Sequence, residues 1–363
     1  MMQFYFKNLL CSSLICLLLS PVFAQQDTSA KEEEIDFSQF ANMDVPDGSK
    51  RYCTSKVLGL SPNKLISIGY DYQFAHQLSN TDPYAQNTTH SKGAADIQSS
   101  GGIRLVANMP LVSNTKWLVN MGVNYWRNGY NMSNIGNANY VVNQLNEKGL
   151  STMGLNATVF KPLNEKHFIL AFASADMNGA SNLLNSDIAD YLPTTKVTAA
   201  ALFGWKRSDR SMIAFGLSRT YRPGAQGIIP LILFNHTFEN KKWGVESLFP
   251  ARLAFRRSFN PRNLMLFGYE LEGNSYAMIN RSSNPAYNNL ELRRSEIRPR
   301  ITYERAITDF IWISAQLGYR INYNFNIDKG DSFRVLGDDT PYYIENTLTN
   351  AMYFQISLNL VSP

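Results

Sequence analysis

The chain has 363 residues, 44% hydrophobic and 17% charged, with a formal net charge of +5 and three cysteines. So mild a charge gives no argument for nucleic acid. Cys11 and Cys16 fall in the first 24 residues, which leaves Cys53 alone and excludes an internal disulfide or a thiolate metal site.

Residues 1–24 read as a cleaved signal peptide: Lys7, an apolar core from Leu9 to Leu19, then Val22-Phe23-Ala24 before Gln25. Loss of Lys7 lowers the charge of the mature chain to +4. A retained anchor needs about 20 apolar residues, and Pro21 and the polar run after Ala24 cut this one short. Beyond it the longest apolar run, Ile228 to Phe234, is interrupted by Pro230, so no transmembrane helix is expected. Residues 25–63 are a polar leader without period, expected to be a periplasmic tail rather than a plug.

Strand-like segments follow one another through residues 64–363. Lys64 to Phe74 sets Ile66, Ile68, Tyr70, Tyr72 and Phe74 against Ser67, Asp71 and Gln73. Asp96 to Met109 alternates Ile103, Leu105 and Ala107 with Gly102, Arg104 and Asn108. Trp117 to Tyr125, Leu150 to Lys161, Thr195 to Lys206 and Ser211 to Tyr221 repeat the pattern, whereas His167 to Met177 is apolar on both faces. Ile228 to Phe238, Trp243 to Ser258, Leu264 to Tyr276 and Leu290 to Glu304 continue it. Phe310 to Phe325 is the clearest case: Ile311, Ile313, Ala315, Leu317, Tyr319, Ile321, Tyr323 and Phe325 against Trp312, Ser314, Gln316, Gly318, Arg320, Asn322 and Asn324. Asn346 to Leu360 closes the set. A period of 2 with one apolar and one polar face, held for sixteen residues, suits the wall of a membrane barrel better than an ordinary strand of about 5–6 residues.

Short turns (Pro110 to Thr115, Pro162 to Lys166, Arg207 to Arg210, Glu239 to Lys242, Arg305 to Asp309) alternate with long Asn-, Ser- and Gly-rich loops (Ala75 to Ala95, Asn128 to Gly149, Asn178 to Pro193, Ala277 to Asn289, Asn326 to Glu345). The expected fold is therefore all-β: a transmembrane antiparallel up-and-down β-barrel of 12–14 strands, with short periplasmic turns and long outer loops. Fourteen strands result if Pro250 breaks Trp243 to Ser258 in two, twelve if that stretch does not span. Trp117, Trp205, Trp243 and Trp312 near short turns, and Tyr125, Tyr130, Tyr221, Tyr276 and Tyr323 near long loops, read as two aromatic girdles.

The C-terminal half carries a charged cluster at in-facing positions: Glu246, Arg252, Arg256, Glu270, Glu272, Glu296, Arg298, Arg300, Glu304 and Arg320. On the lipid side each Arg would cost about 2–4 kcal/mol at the midplane, so the lumen is their expected side. There they form either a lattice of ion pairs or a constriction that selects small polar or anionic solutes. Glu270 and Glu272 share a face, which allows a shared proton. Ser218 with His236 is the one arrangement that a membrane-embedded lipid hydrolase would use. Asp328, Asp331, Asp338 and Asp339 crowd one outer loop without EF-hand spacing, and read as a solvated loop rather than a Ca²⁺ site. No HExxH, P-loop or GxSxG occurs, so neither enzyme, metal nor cofactor is expected.

The stretches WGVESLFPAR (Trp243 to Arg252) and GYELEGNSY (Gly268 to Tyr276) resemble a family of Bacteroidota outer-membrane β-barrels catalogued as a domain of unknown function. The resemblance extends over Lys64 to Leu360. It implies an outer-membrane barrel and brings no substrate, partner or catalytic residue. The chain departs from many outer-membrane proteins in ending on Leu360-Val361-Ser362-Pro363 instead of an aromatic residue. The expectation is thus a Gram-negative outer-membrane barrel acting as a passive channel for small polar solutes; the alternative is a structural or ligand-binding barrel with a closed lumen. Expected partners are outer-membrane lipid, the barrel-assembly machinery during insertion, and small polar solutes.

Overall fold

The computed structural model describes residues 51–84, 92–133, 140–221, 225–280, 283–330, 334–335 and 337–362. The expected signal peptide, most of the leader, His90 and Asp331 lie outside the described residues.

The strands are β1 (Lys64–Gln73), β2 (His76–Thr81), β3 (Lys92–Ser113), β4 (Leu118–Ser133), β5 (Leu150–Pro162), β6 (His167–Gly179), β7 (Lys196–Ser208), β8 (Ser211–Thr220), β9 (Gly227–Thr237), β10 (Trp243–Phe249), β11 (Arg252–Asn260), β12 (Asn263–Met278), β13 (Leu290–Ala306), β14 (Ile311–Lys329), β15 (Glu345–Leu348) and β16 (Ala351–Val361). Helix α1 (Tyr140–Lys148) lies between β4 and β5.

Each strand from β3 to β14 pairs antiparallel with the next. β14 then pairs with β16, β16 with β1, and β1 with β3, which closes the ring. β2 prolongs β1 past Phe74-Ala75, and β15 precedes β16 past Thr349-Asn350; the two prolongations pair with each other. The sixteen segments therefore make a wall of fourteen strands. Pro250 and Ala251 form the turn that separates β10 from β11, because proline cannot donate to a ladder. That break restores the even strand number but not the alternation of connection lengths: 238–242, 250–251 and 261–262 are three short connections in a row, the middle one at the long-loop end.

Closure leaves one face of every strand to the exterior. In β16, Met352, Phe354, Ile356, Leu358 and Leu360 are exposed, while Ala351, Tyr353, Gln355, Ser357, Asn359 and Val361 are buried. In β14, Leu317, Tyr319, Ile321 and Tyr323 look outward. Phe325 does not. The β13–β14 register shifts between Ser295 and Glu296, so an extra residue enters β14 and Phe325 turns inward, 2% exposed. A β-bulge of this kind reverses the facing of everything beyond it. Trp117, Trp205 and Trp243 lie on the outer surface near the short turns. Trp312 instead packs inside on Leu264, Ala306 and Val361, and Tyr130 and Tyr276 are buried inside at the other end.

The wall is uneven. β10 and β11 have 7 and 9 residues, whereas β12, β13 and β14 have 16, 17 and 19. β11 reaches only to the level of Glu270 on β12, so Glu272 to Met278 rise above it without a β11 partner. The rim dips there.

Candidate functional site

The interior has a floor, a charged wall and a roof, each from a different departure from alternation.

The floor is residues 51–61. The expected periplasmic tail does not describe this stretch, because it is gripped by in-facing side chains at the short-turn end. Lys206 Nζ donates to Thr54 Oγ1 at 2.6 Å and to the carbonyl of Lys56 at 2.7 Å. Thr237 Oγ1 donates to the carbonyl of Leu58 at 2.6 Å, and the Leu58 amide donates to the carbonyl of Asp209 at 2.7 Å. Glu246 Oε1 accepts from both the amide and the hydroxyl of Ser61, each at 2.9 Å. Arg256, fully buried, holds Glu246 at 3.0 Å and donates to Thr237 and Ser258 at 2.8 Å. Cys53 and Val57 pack on Phe160, Phe168, Leu202, Met212, Ala214, Leu231 and Leu233. That cover explains the apolar inner face of β6: Phe168 is buried by the floor. Cys53 is thus a core side chain, its thiol 3.5 Å from the His167 carbonyl.

The wall runs from β12 through β13, β14 and β1 to β3. Register sets Glu270 beside Arg298 and Glu272 beside Glu296. Arg298 spans the layer: it bonds Asp71 at 3.0 Å and Glu272 at 2.5 Å, and its guanidinium lies 3.9 Å from the ring centre of Tyr353. Gly318 makes room for this stack, since a Cβ there would come within 2.6 Å of the Tyr353 ring. Arg104 bonds Glu272 at 2.8 Å, and Arg294 bonds Glu296 at 2.8 Å. Arg320 donates to Gln73. Lower down, Lys64 pairs with Glu304 at 2.5 Å. Asp71, Arg104 and Arg294 belong to this wall as much as the residues anticipated from the sequence. Arg294 shares parity with Glu296 and Arg298, so alternation alone would have found it. Asp71 and Arg104 sit more than 160 residues away, and only ring closure brings them in.

Exposure divides the wall. Arg256, Arg298 and Arg320 are at most 1% exposed. Arg300 and Glu270 pair with each other, and their side chains keep 25% and 32% exposure. Arg252, beside Glu270 at the tip of β11, is exposed. These three groups lie under the dip in the rim, where water reaches the inner face.

The roof covers part of the mouth at the long-loop end. Val141, Val142 and Leu145 of α1 join Leu78, Ile97, Trp126, Tyr130, Tyr276, Leu292, Phe325, Ile327 and Ile344 in one buried cluster. The end of β6 crosses the mouth, with the Ala180 amide on the Ala277 carbonyl at 2.9 Å. Residues of the β14–β15 loop also cross, the Gln226 amide donating to the Arg334 carbonyl at 3.1 Å.

The structure separates the enzymatic candidates. Ser218 faces inward near the outer end of β8, while His236 lies opposite Ser211 at the other end of that strand and stacks on Phe234. Glu270 and Glu272 each face their own guanidinium, Arg300 for one and Arg104 with Arg298 for the other, which leaves no shared proton to explain. Asp328 is not a solvated loop carboxylate: Arg293 holds it at 2.9 Å and Arg334 at 2.8 Å. No group of three potential ligands for a metal occurs among the described residues.

The family model described as a domain of unknown function (DUF6268) matches residues 66–360. No curated protein matches the chain. Among solved structures, an outer membrane channel from Pseudomonas putida F1 shows 12% identity and a TM-score of 0.37, over 88% of this chain and 100% of that one. The toluene transporter TodX of P. putida shows 10% identity and 0.32, over 86% and 96%. A FadL homologue of Pseudomonas aeruginosa shows 10% identity and 0.33, over 86% and 100%. The barrel assignment rests on the strand register, not on these likenesses.

Proposed function

The chain belongs to the family of domains of unknown function DUF6268, and from that premise we propose that it is an outer-membrane barrel of Bacteroidota type, acting as a gated passage for small polar solutes. The WGVESLFPAR and GYELEGNSY stretches support that origin; the first carries the latch carboxylate Glu246 and the lip residue Arg252, the second Glu270 and Glu272. Solute enters from the outer end, over the low rim at the β10–β11 turn, and meets Arg252, Glu270 and Arg300. Passage requires residues 51–61 to leave the floor. The observation that carries this reading is the pairing of an accessible charged lip with a floor held by hydrogen bonds to in-facing Lys206, Thr237 and Glu246. Hydrogen bonds of this kind contribute about 1 kcal/mol each, so the latch is strong enough to shut the barrel and weak enough to open.

Swelling of liposomes containing the purified protein tests it. Uptake of small neutral and anionic solutes should be slow in the unaltered chain and fast after deletion of residues 51–61. Replacing Arg252 and Arg300 with Ala in the deleted form should reduce anion uptake more than neutral uptake. A folded deletion variant that admits nothing would favour the second reading, a closed ligand-binding or structural barrel. The fully buried wall arginines and the apolar roof support that alternative.

A further inference from the structure

A hollow opens on the outer surface of the barrel where β1, β3 and β4 run side by side. Gly101 of β3 and Gly129 of β4 are direct cross-strand partners, and Tyr72 of β1, which is exposed, lies opposite Gly101 in the same outward row. The two glycines floor a cavity of about 310 Å³, walled by Tyr70, Tyr72, Ser99, Arg127, Asn131 and Lys148, the last at the C-terminal end of α1. Gly101 has a steric reason to be glycine: a Cβ there would collide with the Asp71 carbonyl oxygen. Gly129 has none. It does not take a positive φ, and a Cβ would meet nothing closer than the Gly101 carbonyl oxygen at 3.7 Å. What glycine preserves at 129 is the space itself.

Arg127 is the cation that this space serves. It shares the outward face of β4 with the exposed Met121 and Val123. Its guanidinium has no hydrogen bond or ion pair with any described residue, and Nε is buried without a partner. Arg127 lies ten residues beyond Trp117, which sits on the outer surface near a short turn. At about 3.3 Å per residue and a strand tilt of about 40°, that is about 25 Å, the full height of a lipid-facing apolar band. The hollow therefore stands at headgroup level at the long-loop end. Ile68, Ile103, Leu105 and Val123 are exposed on the same outer surface and offer acyl chains an apolar track. Arg127 and Lys148 outnumber Glu147, the one carboxylate in the lining, so the hollow favours an anion. The guanidinium fork takes two phosphate oxygens at once, and the asparagine, serine and tyrosine side chains add neutral donors.

We propose that this hollow binds the phosphate of an outer-leaflet lipid headgroup, with Arg127 as its main ligand and Lys148 beside it. The site rests on the outer-membrane reading above and is independent of whether the lumen conducts. It fastens lipid to the β1–β3 pairing that closes the ring.

Native mass spectrometry of the full chain released from micelles tests the site, with diphosphorylated lipid A, the same lipid stripped of phosphate, and inorganic phosphate as probes. The phosphorylated lipid should form a one-to-one adduct, and the stripped lipid should bind about tenfold more weakly, as the loss of charge-assisted hydrogen bonds requires. Arg127→Gln should weaken the phosphorylated lipid by about tenfold, and so should Gly129→Ile, which fills the hollow without changing charge. Equal retention of the two lipids, undiminished binding in either folded variant, or inorganic phosphate binding as tightly as the lipid would each overturn the proposal. Should Arg127→Gln fail to fold, Gly129→Ile and the comparison of the two lipids decide. A chain that stays monodisperse without detergent would instead overturn the outer-membrane reading, and this site with it.

Discussion

Arg298 and Arg300 sit two residues apart on one face of β13, yet their environments predict opposite sensitivities. Arg298 serves two acids and stacks on Tyr353, with 2% of its side chain exposed. Truncating it to Ala leaves Asp71 buried without its closest partner, which costs about 3–5 kcal/mol, while Glu272 keeps Arg104. Arg300 keeps 25% exposure and one carboxylate, Glu270, so its truncation should cost about 1 kcal/mol or less. Denaturant unfolding of the two variants in micelles separates them; equal losses would contradict the division of the wall into dry and wet parts. A second residue-scale expectation concerns the outer loops. Tyr343 stacks on Tyr84, and burial with the Tyr84 hydrogen bond pushes its pKa up to about 12 from the usual value near 10. Burial and a hydrogen bond to Asp82 likewise raise the Tyr287 phenol. A phenol whose folded-state pKa is raised favours folding in its neutral form. That contribution is complete below the unfolded value near 10 and is lost as pH climbs through 12. Proteolysis of the outer loops should therefore accelerate between about pH 10 and 12 while the barrel persists; cleavage independent of pH over that window would contradict the loop packing.

At the scale of the element, the floor segment makes the sharpest prediction. Lys206→Met keeps the stem of the side chain but removes its donated bonds to Thr54 and Lys56. Losing two or three hydrogen bonds of about 1 kcal/mol each should raise the opened fraction, and with it the rate of Cys53 modification by a maleimide, by about tenfold or more. Labelling equally fast in both forms would mean that residues 51–61 are not latched. Elements are also where sequence reasoning met its limit. Alternation reads facing correctly only while register is regular. In β14 it holds from Ile311 to Tyr323, then the bulge turns Phe325 into the roof, and no residue type at that point announces the extra residue. His167 to Met177 broke the alternation visibly. The reason, Phe168 beneath Cys53 and Val57, required knowing where the leader goes. By their distance to a loop, Tyr276 and Tyr130 read as girdle residues. They are buried because helix α1, in a stretch that composition alone marks as loop, folds over them.

At the scale of the whole molecule, the barrel was the most legible feature. Period 2, the run of short and long connections and the even number that a closed ring with both termini at one end requires leave twelve or fourteen strands; the turn at Pro250-Ala251, visible only in the structure, makes it fourteen. The membership of the charged wall was only half legible: β12, β13 and β14 declare theirs by parity, while Asp71 and Arg104 join across the β1–β3 closure. Least legible was the state of the lumen, which depends on a polar leader, an apolar roof and the dip above β10 and β11. The measurement that tests the account most directly is planar-bilayer recording of the full chain beside the form lacking residues 51–61. The account predicts little steady current from the full chain and stable, anion-preferring conductance from the shortened one. Equal conductance in both forms, or none from a shortened barrel shown to be folded, would contradict it.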